Sequence, residues 1–256
     1  MRIVYGVNPV RELLRAGGEG VSELWLAEGA TRGAAFADLE GLGRATGAKV
    51  RHAPRPRLDR LAGTDRHQGV VAIVADFRYA ELEDVLAAAR ASERPPLVVV
   101  LDGVEDPHNL GAIVRSAVAL GAHGVVIPRD RAVGVTPEAA KASAGAVERI
   151  AIARVTNVAK SLEALKEAGV WTVALAADGD RPLGAVDLAG PTAIVLGSEG
   201  EGIRPLVRRT CDHVARIPMT GGLDSLNVSA SAAICLYEAA RQRAARRADS
   251  PVGPDA

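Results

Sequence analysis

Leu97-Val98-Val99-Val100-Leu101-Asp102-Gly103-Val104-Glu105-Asp106-Pro107-His108-Asn109-Leu110-Gly111-Ala112-Ile113-Val114-Arg115 decides the fold class. Its first five residues are uniformly aliphatic, without polar alternation, which is the pattern of a strand buried on both faces. A polar turn follows, and residues 110–120 then space their apolar side chains as a helix does. The same order recurs downstream. Residues 124–127, 170–174, 192–196 and 214–217 read as strands, and 137–142, 158–168 and 228–247 as helices. Strands alternating with helices predict a parallel sheet covered by helices, an α/β fold.

Upstream lies a smaller α/β pattern. Residues 10–14 read as a helix started by Asn8-Pro9, 24–26 and 70–74 as strands, and Phe36, Leu39 and Leu42 as one helix face. Residues 76–93 are rich in charge, and Arg94-Pro95-Pro96 disfavours helix. The expected organisation is a small domain at 1–77, a linker at 78–95, a second domain at 96–247 and a disordered tail at 248–256.

Composition excludes several classes. The chain has 256 residues, of which 48% are hydrophobic and only 3% aromatic, so its cores are aliphatic. The formal net charge is zero, and nucleic-acid binding then requires a local basic stripe. Two cysteines, Cys211 and Cys235, make neither a disulfide framework nor a zinc motif, and no metal is expected. No secretory signal or bilayer-length apolar run is visible, so a cytoplasmic protein without a membrane partner is expected.

Gly197-Ser198-Glu199-Gly200-Glu201-Gly202 invites a phosphate-loop reading, but Ile203-Arg204 stands where a Walker loop needs Lys and Ser or Thr. Pro205 likewise breaks the dinucleotide fingerprint. Three strand-to-helix segments remain as candidates: residues 102–115, 196–203 and 217–229. Each leaves the carboxyl end of a strand, where parallel sheets bind ligands. In the first, Asn109 is placed to cap a helix, and Arg115 shares a face with Gly111, which leaves room for a ligand backbone. In the second, glycines admit close backbone approach and Glu199 can orient hydroxyls or amides. In the third, Ile217, Met219 and Leu226 offer an apolar slot, while Ser225 and Asn227 are good capping residues.

Together these segments resemble the three motifs of the SpoU (TrmH-type) RNA 2′-O-ribose methyltransferases: Asn109-Leu110-Gly111 with Arg115, Gly197 to Gly202, and Ile217-Pro218-Met219 through Ser225-Leu226-Asn227-Val228-Ser229. Tyr5-Gly6-Val7-Asn8-Pro9-Val10 and His67-Gln68-Gly69-Val70 resemble the family's N-terminal substrate-binding domain, which is similar to ribosomal protein L30e. With residues 102–111 they point to the 23S rRNA (guanosine-2′-O-)-methyltransferase branch. The resemblance spans about residues 1–245 and implies a SPOUT fold with a deep trefoil knot. It also implies a homodimer formed through the methyltransferase domain and S-adenosylmethionine as methyl donor. It implies catalytic or substrate-positioning roles for Asn109, Arg115, Glu199, Ser225 and Asn227, and donor contacts for Gly197, Ile217, Met219 and Leu226. A free guanidinium stays protonated at neutral pH, so Arg115 is expected to be essential while the proton acceptor stays open.

RNA capture is expected from Arg51, Arg55, Arg57, Arg60 and Arg66, which lie in a stretch, 44–67, with an excess of five positive charges. The alternatives to an rRNA enzyme are a tRNA 2′-O-ribose methyltransferase, a drug-resistance rRNA methyltransferase, and a non-catalytic RNA-binding protein.

Overall fold

The computed structural model describes residues 1–29, 33–222 and 225–249. In chain order its elements are β1 (Arg2–Tyr5), α1 (Val7–Arg15), β2 (Val21–Ala27), α2 (Ala34–Ala45), β3 (Lys49–Ala53), α3 (Arg55–Ala62), β4 (Val70–Val74), α4 (Leu82–Ala91), β5 (Leu97–Asp102), α5 (Pro107–Ala119), β6 (Gly124–Pro128), α6 (Pro137–Ala142), β7 (Ala151–Val155), α7 (Val158–Glu167), β8 (Trp171–Leu175), β9 (Arg181–Pro182), β10 (Thr192–Gly197), α8 (Pro205–Thr210), β11 (His213–Arg216) and α9 (Val228–Asp249). They divide into two compact units. The first comprises Met1–Arg78, Asp106–Arg115 and Gly134–Ile150; the second comprises Tyr79–Glu105, Ser116–Val133 and the described residues from Ala151 onward.

The first unit is built on a mixed sheet of order β1-β4-β2-β3, antiparallel except for the β2–β3 pair. Its core joins Val10, Leu13 and Leu14 of α1 and Leu39 of α2 to Leu24, Leu26, Val70 and Ala72 of the strands. Helix α1 starts at Val7, ahead of Asn8-Pro9, so the proline stands in the first turn, where no intrahelical N–H is lost. The unit is not continuous in sequence, and the reason is packing. A side-chain carbon on Gly111 of α5 would stand 2.5 Å from Ala142 Cβ and 2.6 Å from the Ala139 carbonyl oxygen of α6. Helix α6 in turn packs on β1. The space over Gly111, expected to receive a ligand backbone, is therefore filled by the chain itself.

The second unit is a seven-stranded sheet of order β7-β6-β5-β10-β8-β11-β9, with every neighbouring pair parallel. Every residue of β5 and β6 is buried. Val98, Val100, Val126 and Val195 meet Leu162 and Leu165 of α7 and Leu82 and Val85 of α4 in one cluster. Residues 78–95, expected as a linker, thus hold α4, a helix that covers the sheet. The charges that suggested a linker are helix-end chemistry. Glu81 and Asp84 form a reciprocal capping box, acidic residues occupy the first turn, and Arg90 lies in the last, each sign matched to the helix dipole. Gly124 gives α4 its approach, since a Cβ there would meet Val85 Cγ1 at 2.4 Å. Helix α9 runs through Asp249, and residues 250–256 of the expected tail lie outside the described residues.

Two polar side chains, the half-buried Arg243 and the buried His123, tie the second unit together. Arg243 of α9 donates to the carbonyls of Pro95 (2.6 Å), Pro96 (2.8 Å), Leu188 (3.1 Å) and Gly190 (2.7 Å), joining the helix to the segments that enter β5 and β10. Burial, with Arg94 and Arg247 nearby, pushes its guanidinium down to about 10, so it remains charged at neutral pH. His123, just before β6, accepts the Leu97 N–H on Nδ1 at 2.9 Å and places Nε2 2.7 Å from Ser92 Oγ.

That geometry needs the neutral imidazole, because Nδ1 must keep its lone pair. Burial, then Arg94 and Arg243, lowers the His123 pKa below the ordinary histidine value. The unfolded chain therefore takes the proton first. Stability is complete above the ordinary value, about 6.5, and is lost as pH falls through the folded value. His123→Asn is expected to cost about 1–2 kcal/mol at pH 8 through lost hydrogen bonds. It is also expected to flatten the acid limb of the melting temperature. Thermal melts from pH 8 to 5 check this, and parallel limbs in the two proteins would count against it.

Candidate functional site

The carboxyl ends of β8, β10 and β11 converge on a cavity of about 440 Å³, within the size range of small-ligand sites. Its first wall follows β10. Ser198 and Gly202 exchange backbone hydrogen bonds of 3.1 Å in both directions, which closes residues 198–202 into a tight loop. Gly202 holds φ at 67°, a left-handed value suited to glycine. Gly197 is required for a different reason, since a Cβ there would stand 2.0 Å from the Gly202 carbonyl carbon and 2.2 Å from the Ile203 nitrogen. The loop is anchored beyond its end. Asp102, fully buried at the end of β5, accepts the Arg204 N–H and Nε–H at 2.8 Å each and is also bonded by Arg204 Nη2. That hydrogen bond, and the carboxylate's charge, raise the Arg204 pKa.

The second wall follows β11 and contributes Ile217, Met219, Ser225 and Leu226. The third follows β8 and contributes residues 175–178. Asp178 accepts from Arg208 Nη1 of α8 at 2.9 and 3.0 Å, and that hydrogen bond holds its carboxyl below the ordinary aspartate value. Arg208 also lines the cavity. A second cavity of about 530 Å³ lies on the other side of the same loop, and residues 198–202 line both.

Of the expected site residues, the fold brings Gly197, Glu199, Ile217, Met219, Ser225 and Leu226 together around the first cavity. Asn227 is not in the lining. It caps α9, with Oδ1 accepting the Ser229 N–H at 2.9 Å and the Ser229 hydroxyl at 2.6 Å. Asn109 and Arg115 belong to the first compact unit, on α5. Asn109 is buried in the first turn of that helix, and the cap is Asp106 instead. Asp106 Oδ1 accepts the His108 N–H at 2.8 Å and its carbonyl accepts the Leu110 N–H at 3.0 Å. Arg115 is exposed, one turn beyond Gly111.

Sequence reasoning missed residues 175–178 and Arg208. The signal available was positional, because the strand expected at 170–174 ends at the same sheet edge as the other two.

The expected RNA-binding arginines share the first unit. Arg55, Arg57, Arg60 and Arg66 are exposed. Arg51 is half-buried and already paired with Glu23 at 3.1 Å, and both Arg51 and Arg57 lie over the Trp25 ring at 5.2 and 5.5 Å. Burial pushes both thiols, Cys211 and Cys235, up to about 12, so neither offers a thiolate at neutral pH. Among the described residues no helix is long and apolar enough to cross a membrane.

Residues 96–237 match the model of the SpoU rRNA Methylase family, and residues 3–80 match that of RNA 2′-O ribose methyltransferase substrate binding. The chain is 43% identical over 248 residues to the 23S rRNA (guanosine-2′-O-)-methyltransferase RlmB of Pseudomonas syringae, covering 95% of this chain and 97% of that one. It is 42% identical over 243 residues to the enzyme of the same name from Ralstonia nicotianae, covering 94% and 96%. The crystal structure of the SpoU methyltransferase AviRb from Streptomyces viridochromogenes in complex with AdoMet superposes with a TM-score of 0.79 at 28% identity, covering 95% of this chain and 90% of that one.

Proposed function

The chain belongs to the SpoU rRNA methylase family, and from that premise we propose that it methylates the ribose 2′-hydroxyl of a guanosine in 23S rRNA, with S-adenosylmethionine as methyl donor. The observation that carries this reading is the convergence of three strand-end loops on one cavity that fits such a donor. The cavity's walls combine apolar side chains with a glycine-built backbone cradle, as an adenine ring and a polar tail require.

S-adenosylmethionine supplies a methyl carbon bonded to a positively charged sulfur, open to in-line attack by an oxygen. Leu175, Ile217, Met219 and Leu226 provide the apolar faces for its adenine, and the backbone at Gly197 and residues 198–202 approaches its polar atoms. Asn109 and Arg115 are assigned to the acceptor ribose or its phosphate, and Glu199 and Ser225 to orienting the attacking hydroxyl. Asn227 contributes by fixing the start of α9. When bound, the donor would supply a methyl carbon to the 2′-oxygen, with the C–S electron pair left on sulfur and the hydroxyl proton released to solvent water. Holding the two reactants in line supplies much of the acceleration.

RNA capture is assigned to Arg55, Arg57, Arg60 and Arg66, whose exposed guanidiniums are available to phosphates. The trefoil knot and the homodimer belong to the same proposal. Ile234 and Tyr237 of α9 leave apolar surface uncovered, 38% and 61% exposed, and sedimentation of the full chain reads out the dimer. A cytoplasmic location follows from the substrate. The deciding experiment incubates the full chain with labelled S-adenosylmethionine and a 23S rRNA transcript, then maps 2′-O-methyl marks. One guanosine marked, in a salt-sensitive reaction, is the expected result, and no transfer to rRNA rejects the proposal.

A further inference from the structure

The second cavity lies at the carboxyl ends of β5, β6 and β10, where Asp102, Gly103, Glu105, Pro128, Asp130 and Arg131 face the loop 198–202. Its two other walls are tied together, since the Val133 N–H donates to the Val104 carbonyl at 3.0 Å. A Cβ on Gly103 would lie 3.6 Å from the Arg131 carbonyl oxygen and 3.8 Å from Ser198 Cβ, so the three loops meet closely at that point. Arg131 is held at φ 54°, a left-handed conformation that a residue with a Cβ rarely adopts.

The chemistry of the lining selects the ligand. Asp102 is consumed by Arg204. Glu105, Asp130 and Arg131 have no side-chain hydrogen bond or ion pair among the described residues, leaving two carboxylates and one guanidinium to meet a guest. Guanine alone among the bases fits both signs. Its O6 and N7 accept a bidentate guanidinium, and its N1–H and N2 amino group donate to a carboxylate. Adenine would turn its N6 amino group toward Arg131, and pyrimidines lack N7.

The geometry points to this cavity as the recognition site for the acceptor guanine, with Arg131 donating to O6 and N7 and Glu105 and Asp130 accepting from N1–H and the N2 amino group. The inference rests on the proposed guanosine acceptor and deepens it. A base seated there would have its ribose beside the loop 198–202, which also lines the first cavity.

The test uses the full chain and 23S rRNA transcripts carrying guanosine, inosine or adenosine at the mapped acceptor position. Inosine keeps N1–H, O6 and N7 and lacks only the N2 amino group. Wild type is expected to prefer guanosine over inosine about 10-fold, as one lost base contact implies, and to reject adenosine more strongly. The double variant Glu105→Ala with Asp130→Ala, which removes both acceptors where an amide would keep them, is expected to bring the guanosine-to-inosine ratio to about one. Arg131→Gly is expected to slow transfer to guanosine and inosine alike by about 10- to 100-fold. It should leave S-adenosylmethionine affinity unchanged and melt at a higher temperature, because glycine relaxes the left-handed backbone. Unchanged base preference in the double variant together with an unimpaired Arg131→Gly overturns the assignment. A mapped acceptor other than guanosine overturns the reading on which it rests.

Discussion

Arg115→Ala is expected to lower kcat for methyl transfer by at least about 10³-fold, the scale of losing one pre-positioned donor or more at a reacting centre. The protein should still fold. On α5, Leu110, Ile113, Val114 and Ala117 face the core, while Arg115 is exposed and is not part of it. Surface changes of that kind shift stability by about 0.5 kcal/mol or less. Donor binding should also survive, because no residue of α5 lines the cavity proposed to hold the donor. Isothermal titration with S-adenosylmethionine and single-turnover transfer to 23S rRNA read the two quantities separately. Arg115→Lys discriminates further. A lysine keeps the charge and loses the planar fork, so it is expected to recover little activity if bidentate positioning is the role. Full turnover by the alanine variant would remove Arg115 from the acceptor side.

The fold was legible where burial and periodicity coincide. Strands β5, β6 and β10 are continuous aliphatic runs, and α6, begun by Pro137 behind the capping Thr136, occupies the expected residues. Elements with little buried surface were silent. Helix α3 buries only Leu58, and β3 alternates too weakly to mark itself, with Lys49 and His52 exposed. Helix α4 was hidden by its own capping charges. The site divides along the same line. The walls at 197–202 and 217–226 were legible because loop chemistry is written in contiguous residues. The Asp102–Arg204 anchor joins positions 102 residues apart, and the expected opening over Gly111 depended on where α6 would pack. Only the folded chain brings such pairs together.

Gly197→Ala should abolish donor binding without touching any polar group of the site. The added carbon would lie 2.0 to 2.3 Å from three backbone atoms of Gly202 and Ile203, and backbone cannot rotate away as a side-chain tip can. Relief requires the loop to move outward. Two devices resist that movement: the paired Ser198–Gly202 hydrogen bonds, and the Arg204 grip on the buried Asp102 carboxylate. Pulling the half-exposed Arg204 guanidinium away from Asp102 would leave a buried carboxylate without its cation, and overpacking alone costs about 1–3 kcal/mol. The loop therefore shifts only partway, and the chain carries strain that lowers its melting temperature. A loss of about 3 kcal/mol in the cradle corresponds to more than about 100-fold in Kd for S-adenosylmethionine. Gly200→Ala is the matched control. A Cβ at Gly200 meets nothing within 4 Å, so that variant should bind the donor within a few-fold of wild type. If Gly197→Ala binds as tightly as Gly200→Ala, the β10 loop is not the cradle and the donor must sit elsewhere.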